Sequence, residues 1–163
     1  MATKKKAGWP KGAKLIYVGE DDDNPELEAA GLDYWDAFGE AEEVFATEGI
    51  RTNRNEQIRF LVVLDEHVIG VATFEIRRSG FDEGAEYSFS AAVLSKYQKR
   101  GIGRKLVEAV IGEARDFARE LGQANHFRVW VVNPNMAKLL ESMGFETDGG
   151  EWTMDSPHMT MYL

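Results

Sequence analysis

The segment from Val93 to Leu106 carries the residue types best suited to chemistry in this 163-residue chain. A β-rich run ends at Leu94, a basic turn with glycines at 101 and 103 follows, and a long amphipathic pattern then predicts a helix. Free N–H groups and the positive dipole end make a helix N-terminus an anion site, and glycines let a phosphate approach the backbone. Because both GxxxxGK[ST] and GxGxxG are absent, we expect a phosphate site of another kind.

The alternative for this segment is a glycine-assisted helix start whose basic residues contact only solvent. Basic residues in the first turn of a helix lie at the positive end of its dipole, which is unfavourable. The alternative does not explain why they are present there. The segment therefore favours phosphate binding, with charge added by Lys99, Arg100 and Arg104.

Two motifs in this region resemble those of the GNAT N-acetyltransferase superfamily. Residues 98–103 (QKRGIG) match its acyl-CoA pyrophosphate motif, Q/R-x-x-G-x-G/A. Residues 133–145 (NPNMAKLLESMGF) are similar to its second signature, and the closing MTMYL is similar to its last strand. The resemblance is centred on residues 86–145 and implies an acyltransferase that moves an acetyl group from acetyl-CoA to a primary amine of a small molecule, peptide or protein.

The resemblance also implies how acetyl-CoA would be held as co-substrate. In the family the pantetheine arm pairs with backbone like an added strand, and the pyrophosphate lies on the amides of the motif. Asn133 would contact the arm, and capping of the following helix is its alternative role. The implied cofactor-binding residues are Ala91, Ala92, Val93, Gln98, Lys99, Arg100, Gly101, Ile102, Gly103, Arg104 and Asn133.

Candidates for the catalytic base follow from the same resemblance. Family members often place a Glu on the fourth strand as general base. Counting back from Gln98 brings either Glu86 or Tyr87 to that position, and the one-residue difference reverses the face of the strand. Glu75 on the neighbouring strand is a third candidate, and His158 could reach an acceptor site.

Leu140 departs from the family pattern, because many members carry a Tyr there as general acid. Either another residue supplies the acid, or the thiolate leaves unaided, or the chain no longer transfers acetyl groups. The alternative function is therefore a CoA-binding GNAT-like protein without transferase activity, acting as a sensor or interaction module.

The charge distribution indicates the class of partner. The net charge is −9, and residues 20–48 contain twelve acids with no Lys or Arg. We expect a cationic amine acceptor of unspecified identity, attracted by this field; a solvated helix face, or an interaction module that holds a basic partner without CoA, is the alternative. Because the chain is so acidic, it is a poor candidate for binding nucleic acid. The sequence leaves open whether the protein forms a homodimer.

Several classes of protein are disfavoured by what the sequence lacks. It contains no cysteine, which excludes disulfides, a thiol nucleophile and cysteine-ligated metal sites. Neither HExxH nor GxSxG occurs, so we predict no metal site and no serine hydrolase. No apolar run approaches the roughly 20 residues that span a bilayer. We expect no membrane association and a cytoplasmic location.

The elements that must position these residues predict an α/β (α+β) fold. We expect a flexible Lys-rich tail at 1–13 and one GNAT-like domain at 14–163. Its mixed, twisted central sheet of about six to seven strands is flanked by helices, with a splay between the fourth and fifth strands. The predicted strands are 14–19, 58–64, 68–76, 86–94, 126–132, one at Thr153, and 159–163. The predicted helices are 101–121, 136–143, and one or two within 25–49, broken near Gly31 and Gly39.

Overall fold

The computed structural model describes residues 8–19, 23–52, 55–78, 85–121, 126–131, 134–147 and 158–163. Its elements, in chain order, are β1 (Lys14–Tyr17), α1 (Pro25–Ala29), α2 (Tyr34–Thr47), β2 (Gln57–Leu64), β3 (His67–Arg78), β4 (Ala85–Ser88), β5 (Ala91–Val93), a 3₁₀ turn (Ser95–Tyr97), α3 (Ile102–Leu121), β6 (His126–Trp130), α4 (Pro134–Ser142), β7 (Glu146–Thr147) and β8 (His158–Tyr162). The chain divides into two compact units, Met1–Phe74 with Ser90–Ile111, and Glu75–Phe89 with Gly112–Leu163.

The first unit contains an antiparallel ladder in the order β1-β2-β3-β5. The β2–β3 hairpin turns at Asp65 and Glu66, which have φ values of 50° and 67°. Two consecutive left-handed residues match the twist of a two-residue hairpin, and the strands predicted at 58–64 and 68–76 pair through this turn.

Helices cover the two faces of this ladder. Ala37, Ala41, Val44 and Phe45 of α2 are buried in one core with Val71 and Ala92 and their neighbours. On the opposite face the first turns of α3 approach Gly70, where an added Cβ would lie 3.0 Å from Ile102 Cγ2 and 3.3 Å from Leu106 Cδ1. The absence of a side chain at Gly70 therefore sets how closely the start of α3 packs on β3.

The acidic region forms two helices with one break. Gly31 has φ 82° between α1 and α2, as predicted. The predicted break near Gly39 is wrong, because α2 continues through it from Tyr34 to Thr47. A glycine costs a helix about 1 kcal/mol, and burial of one face of α2 outweighs that cost.

The second unit continues β3 through Glu75–Arg78 and orders its strands β3-β4-β6-β8-β7. The ladders are antiparallel except for β4 with β6, where Tyr87 lies opposite Phe127. Rings of Tyr87, Phe89, Phe127 and Phe145 pack together, with centroids between 5.6 and 6.3 Å apart. This aromatic cluster forms much of the core around the β4–β6 contact.

The predicted fold class, a mixed and largely antiparallel sheet with flanking helices, is confirmed. The single strand predicted over 86–94 is divided, because the Ser90 N–H donates to Thr73 Oγ1 at 2.9 Å instead of to a backbone carbonyl. Within the described residues, β5 pairs with β3 alone, and β4 and β6 share one registered pair. Pairing of the fourth and fifth predicted strands is thus confined to that one point.

Residues 8–13 of the predicted N-terminal tail form hydrogen bonds within the tail and with Arg100. Residues 1–7, and also the strand predicted at Thr153, lie outside the described part of the chain. Trp9 Nε1 donates to the Ala13 carbonyl at 3.0 Å, and Arg100 Nε donates to the Gly8 carbonyl at 2.9 Å. In the described ranges, none of the helices is long and apolar enough to cross a membrane.

Replacing Gly70 with Ala should lower the free energy of unfolding by about 1–3 kcal/mol, the usual cost of overpacking a core. The neighbouring side chains of Ile102 and Leu106 are themselves fully buried and have little room to move. Denaturant unfolding followed by circular dichroism would measure the change.

Gly39→Ala is the matched control, since an added Cβ there meets nothing within 4 Å. This helical position should gain about 0.5–1 kcal/mol from the same substitution. Equal effects of the two variants would contradict the packing argument.

Candidate functional site

The outer edge of β5 presents backbone groups in an alternating pattern. The Ser90 carbonyl and the Leu94 N–H both bond to β3, at 2.8 and 2.9 Å. Because successive residues of a strand point their backbone groups to opposite sides, those of Ala92 also face β3. The N–H and C=O groups of Ala91 and Val93 therefore lie along the opposite edge, where an extended ligand could pair with the two N–H groups and with the Ala91 carbonyl.

Gln98 ties the end of β5 to the loop that follows. The 3₁₀ turn Ser95–Tyr97 reverses the chain, and Gln98 then extends it with φ −68° and ψ 160°. The Gln98 Nε2 donates to the Val93 carbonyl at 2.9 Å. Gln98, predicted to bind the cofactor, thus also holds the loop against the strand.

Two left-handed residues shape the loop at the start of α3. Lys99 has φ 63° and Gly101 has φ 88°. A left-handed lysine costs of order 1 kcal/mol, and such strain concentrates at functional sites. At Gly101 an added Cβ would meet nothing within 4 Å, so the backbone there is open to an approaching group.

The first amides of α3 precede the first helical hydrogen bond, which runs from Lys105 N–H to the Gly101 carbonyl at 3.1 Å. Amides at this point of a helix have no acceptor within the helix and carry the positive end of its dipole. Ile102 is buried and anchors the turn, while Gly101 is exposed. The turn is therefore fixed on its inner side and accessible on its outer side.

Basic side chains surround this turn without an acid among residues 95–107. Lys99, Arg104 and Lys105 are exposed, and Arg100 directs its Nε to the Gly8 carbonyl. Strand-edge amides leading into a positive helix terminus match the alternating amide groups and pyrophosphate of CoA. The residues present therefore fit this co-substrate.

Glu86 and His126 come together in the second unit. His126 Nε2 lies 3.5 Å from Glu86 Oε2, at the outer limit of a direct hydrogen bond, and their side chains are 25% and 26% exposed. Sequence reasoning missed His126, because the two residues lie forty positions apart and no local pattern connects them. Half-buried carboxylate and imidazole groups in contact can take up and pass a proton.

The other two candidates for the base are buried. Tyr87 is 1% exposed and belongs to the aromatic cluster, while Glu75 is 5% exposed and lies opposite Ser88 in the β3–β4 ladder. Antiparallel partners share a face, so Glu75 and Glu86 lie on the same face of this ladder and Tyr87 on the other. Access to solvent thus favours Glu86 over both.

The remaining predicted site residues are less informative. Asn133 and the side chain of His158 lie outside the described residues. Leu140 is fully buried in α4, and its side chain is apolar where many family members carry a tyrosine. Within the described ranges, no group of three His, Asp or Glu could hold a metal ion.

A groove of about 420 Å³ lies between α2, the β2–β3 hairpin and the 3₁₀ turn. Its lining is apolar at Val44, Val68 and Ile69. Three carboxylates, of Glu40, Glu43 and Asp65, and one lysine, Lys96, also line it. His67 Nδ1 contacts Glu40 Oε1 at 2.9 Å. Nearby on α2, the Trp35 indole is 71% exposed.

Solved structures share this fold at low sequence identity. The yncA structure from Salmonella typhimurium with its cofactor acetyl-CoA is 20% identical, covers 94% of this chain and 95% of its own, and has a TM-score of 0.56. An N-acetyltransferase from Staphylococcus aureus is 17% identical, with coverage of 92% and 98% and a TM-score of 0.56. The ribosomal-protein-S18-alanine N-acetyltransferase from Escherichia coli is 19% identical, with coverage of 93% and 92% and a TM-score of 0.51.

Sequence comparison gives the family directly. No curated protein matches this chain in sequence. The model of the acetyltransferase (GNAT) family matches residues 20–145, which is most of the chain and includes both the glycine-containing turn and the β4–β6 contact. The fold, the motif and this match agree, and the chain belongs to the GNAT acetyltransferase family.

Proposed function

We propose that this protein transfers the acetyl group of acetyl-CoA to a cationic primary amine. The observation that carries the proposal is the set of backbone groups running from Ala91 and Val93 to the open turn at Gly101. Acetyl-CoA would pair with the strand edge through its pantetheine arm and lie with its pyrophosphate on the first amides of α3. The acetyl-CoA in the yncA structure supports the same co-substrate here.

Transfer requires the acceptor nitrogen to lose a proton. An amine with a pKa near that of lysine, about 10.4, is almost entirely protonated at neutral pH. Glu86 is the proposed general base, directly or through water, and His126 would hold its carboxylate and share the proton. The thioester supplies an activated acyl group whose thiolate, with a thiol pKa of about 8.5, leaves without a strong acid.

The acceptor class follows from charge. Exposed acids on α2 include Asp36, Glu42 and Glu43, and among the residues that line the groove the carboxylates outnumber the one lysine by three to one. Such a surface raises the local concentration of cations, and the exposed indole of Trp35 can bind a cation over its face. We therefore propose a polyamine or a basic peptide rather than a neutral or acidic amine.

A CoA-binding protein without transferase activity is the second candidate, and buried Leu140 is the observation in its favour. Thiol release from acetyl-CoA in the presence of an amine panel separates the two. Amine-dependent thiol release supports the transferase. CoA binding with no thiol release in the presence of any amine of the panel supports the second candidate.

The Gly101→Val, Gly103→Val double variant should lose CoA binding while retaining the fold. Valine at Gly101 is disfavoured at φ 88° and places a branched side chain over the open turn. Calorimetry of the wild type should give a micromolar Kd for CoA, which corresponds to a binding free energy of roughly −8 kcal/mol. No CoA binding by the wild type would refute the proposal.

Glu86→Gln should lower kcat by at least roughly 10²-fold, the low end for loss of a general base, with the Kd of acetyl-CoA nearly unchanged. Tyr87→Phe is the control on the neighbouring position and should keep most of kcat, because this ring is in the core. If Glu86→Gln retained the wild-type pH–rate profile, the base would have to be sought at Glu75, Tyr87 or His158.

Neutralising two acids of α2, in the Asp36→Asn, Glu43→Gln variant, should raise KM for spermidine several-fold. Added salt should raise the KM of the wild type for spermidine by a similar factor, because it screens the same charges. Glu108→Gln, Glu120→Gln removes equal charge from exposed positions of α3 and should have little effect. A net-acidic peptide that outcompeted spermidine would exclude a cationic acceptor.

A further inference from the structure

Glu48 is in a position that is electrostatically unfavourable in two ways. It is the C-cap of α2, where a carboxylate faces the negative end of the helix dipole, and no basic residue occupies the last turn. It also lies beside the loop that precedes the positive start of α3. Such a carboxylate would weaken the attraction of this region for phosphate unless it had another role.

Its hydrogen bonds show what that role is. Ser95 Oγ lies 2.6 Å from Glu48 Oε1 and 2.9 Å from Oε2, and Gln98 Nε2 donates to Oε1 at 3.3 Å. The same Gln98 nitrogen donates to the Val93 carbonyl at 2.9 Å. One carboxylate therefore contacts both ends of the turn that separates β5 from the glycine-containing segment.

These contacts restrict the loop before any ligand binds. Ser95 begins the 3₁₀ turn, and Gln98 is the residue from which the chain enters the left-handed conformation at Lys99. With both side chains held by Glu48, the loop loses less conformational freedom on binding, and binding of a ligand along it becomes tighter.

We propose that Glu48 is a positioning residue that holds the CoA-binding loop in its binding conformation. This inference rests on the proposed CoA site, but not on acetyl transfer. It separates Glu48 from the other acids of residues 20–48, whose proposed effect is on the acceptor amine. A simple electrostatic role predicts the opposite sign, because removing a negative charge near the loop would tighten CoA binding.

Two substitutions of Glu48 distinguish these roles. Glu48→Gln keeps an oxygen that can accept from Ser95 and Gln98, so CoA affinity should stay within about threefold of wild type or improve. Glu48→Ala removes the acceptor and should raise the Kd of CoA about tenfold, as expected for loss of a charge-assisted hydrogen bond. Glu120→Ala removes the same charge from an exposed position of α3 to which no role is assigned, and it should leave the Kd unchanged.

A double-mutant cycle tests whether Glu48 acts through Ser95. Ser95→Ala should itself weaken CoA binding, and combining it with Glu48→Ala should cost less than the sum of the single effects. At saturating acetyl-CoA, kcat of Glu48→Ala should equal that of wild type. The defect should therefore appear only in the KM for acetyl-CoA. A thermal midpoint measured for each variant separates these effects from loss of the fold.

The experiment is calorimetric titration of the full chain with CoA at one pH and ionic strength. Weakened binding in Glu48→Ala with rescue in Glu48→Gln supports the proposal. If the wild type binds CoA and Glu48→Ala binds it equally well or more tightly, the positioning role alone is overturned. Failure of the wild type to bind CoA overturns both this role and the proposed function.

Discussion

The first turn of α3 is held against β3 by Ile102 and Leu106, which occupy the space that a side chain at Gly70 would need. This contact fixes the helix axis, and with it the direction of the amides that precede the first helical hydrogen bond. The rest of the loop depends on it, because the left-handed residues 99 and 101 have to connect a fixed strand end to a fixed helix start. A loop with these two end points has few conformations, which suits it to bind a phosphate group.

The two parts of the proposed chemistry belong to different units of the chain. The strand edge, the loop and the start of α3 lie in the first unit, whereas Glu86 and His126 lie in the second. In the chain they are connected through Phe89 and Ser90, where the Thr73 hydroxyl interrupts the ladder. The interruption divides the strand into β5, whose outer edge could pair with a ligand, and β4, which carries Glu86.

The sequence predicted those features whose cause is local. The glycines and basic residues of 98–104 require a particular backbone conformation, and the apolar spacing of α3 predicts the buried face that anchors it. The break predicted at Gly39 was wrong because packing of the α2 face outweighs a weak propensity. The division of the strand at Ser90 was missed because its cause is a hydrogen bond from the Ser90 N–H to the Thr73 side chain on another strand.

The unpredicted site features depend on partners distant in sequence. Glu48 lies 47 positions from Ser95 and 50 from Gln98, and within its own segment it was only the last of a run of acids. His126 likewise gave no signal until the strands placed it beside Glu86. Such pairings require the folded chain, whereas Leu140 could be recognised as a departure from the family pattern by sequence alone.

The central claim is that backbone groups of β5 and α3 bind the co-substrate, and amide hydrogen exchange followed by NMR with and without CoA tests it directly. We expect added protection at the amides of Ala91, Val93, Ile102 and Gly103, with little change at Ala92, whose N–H already faces β3. Protection of Ala92 equal to that of its neighbours, or no change at the start of α3, would contradict it.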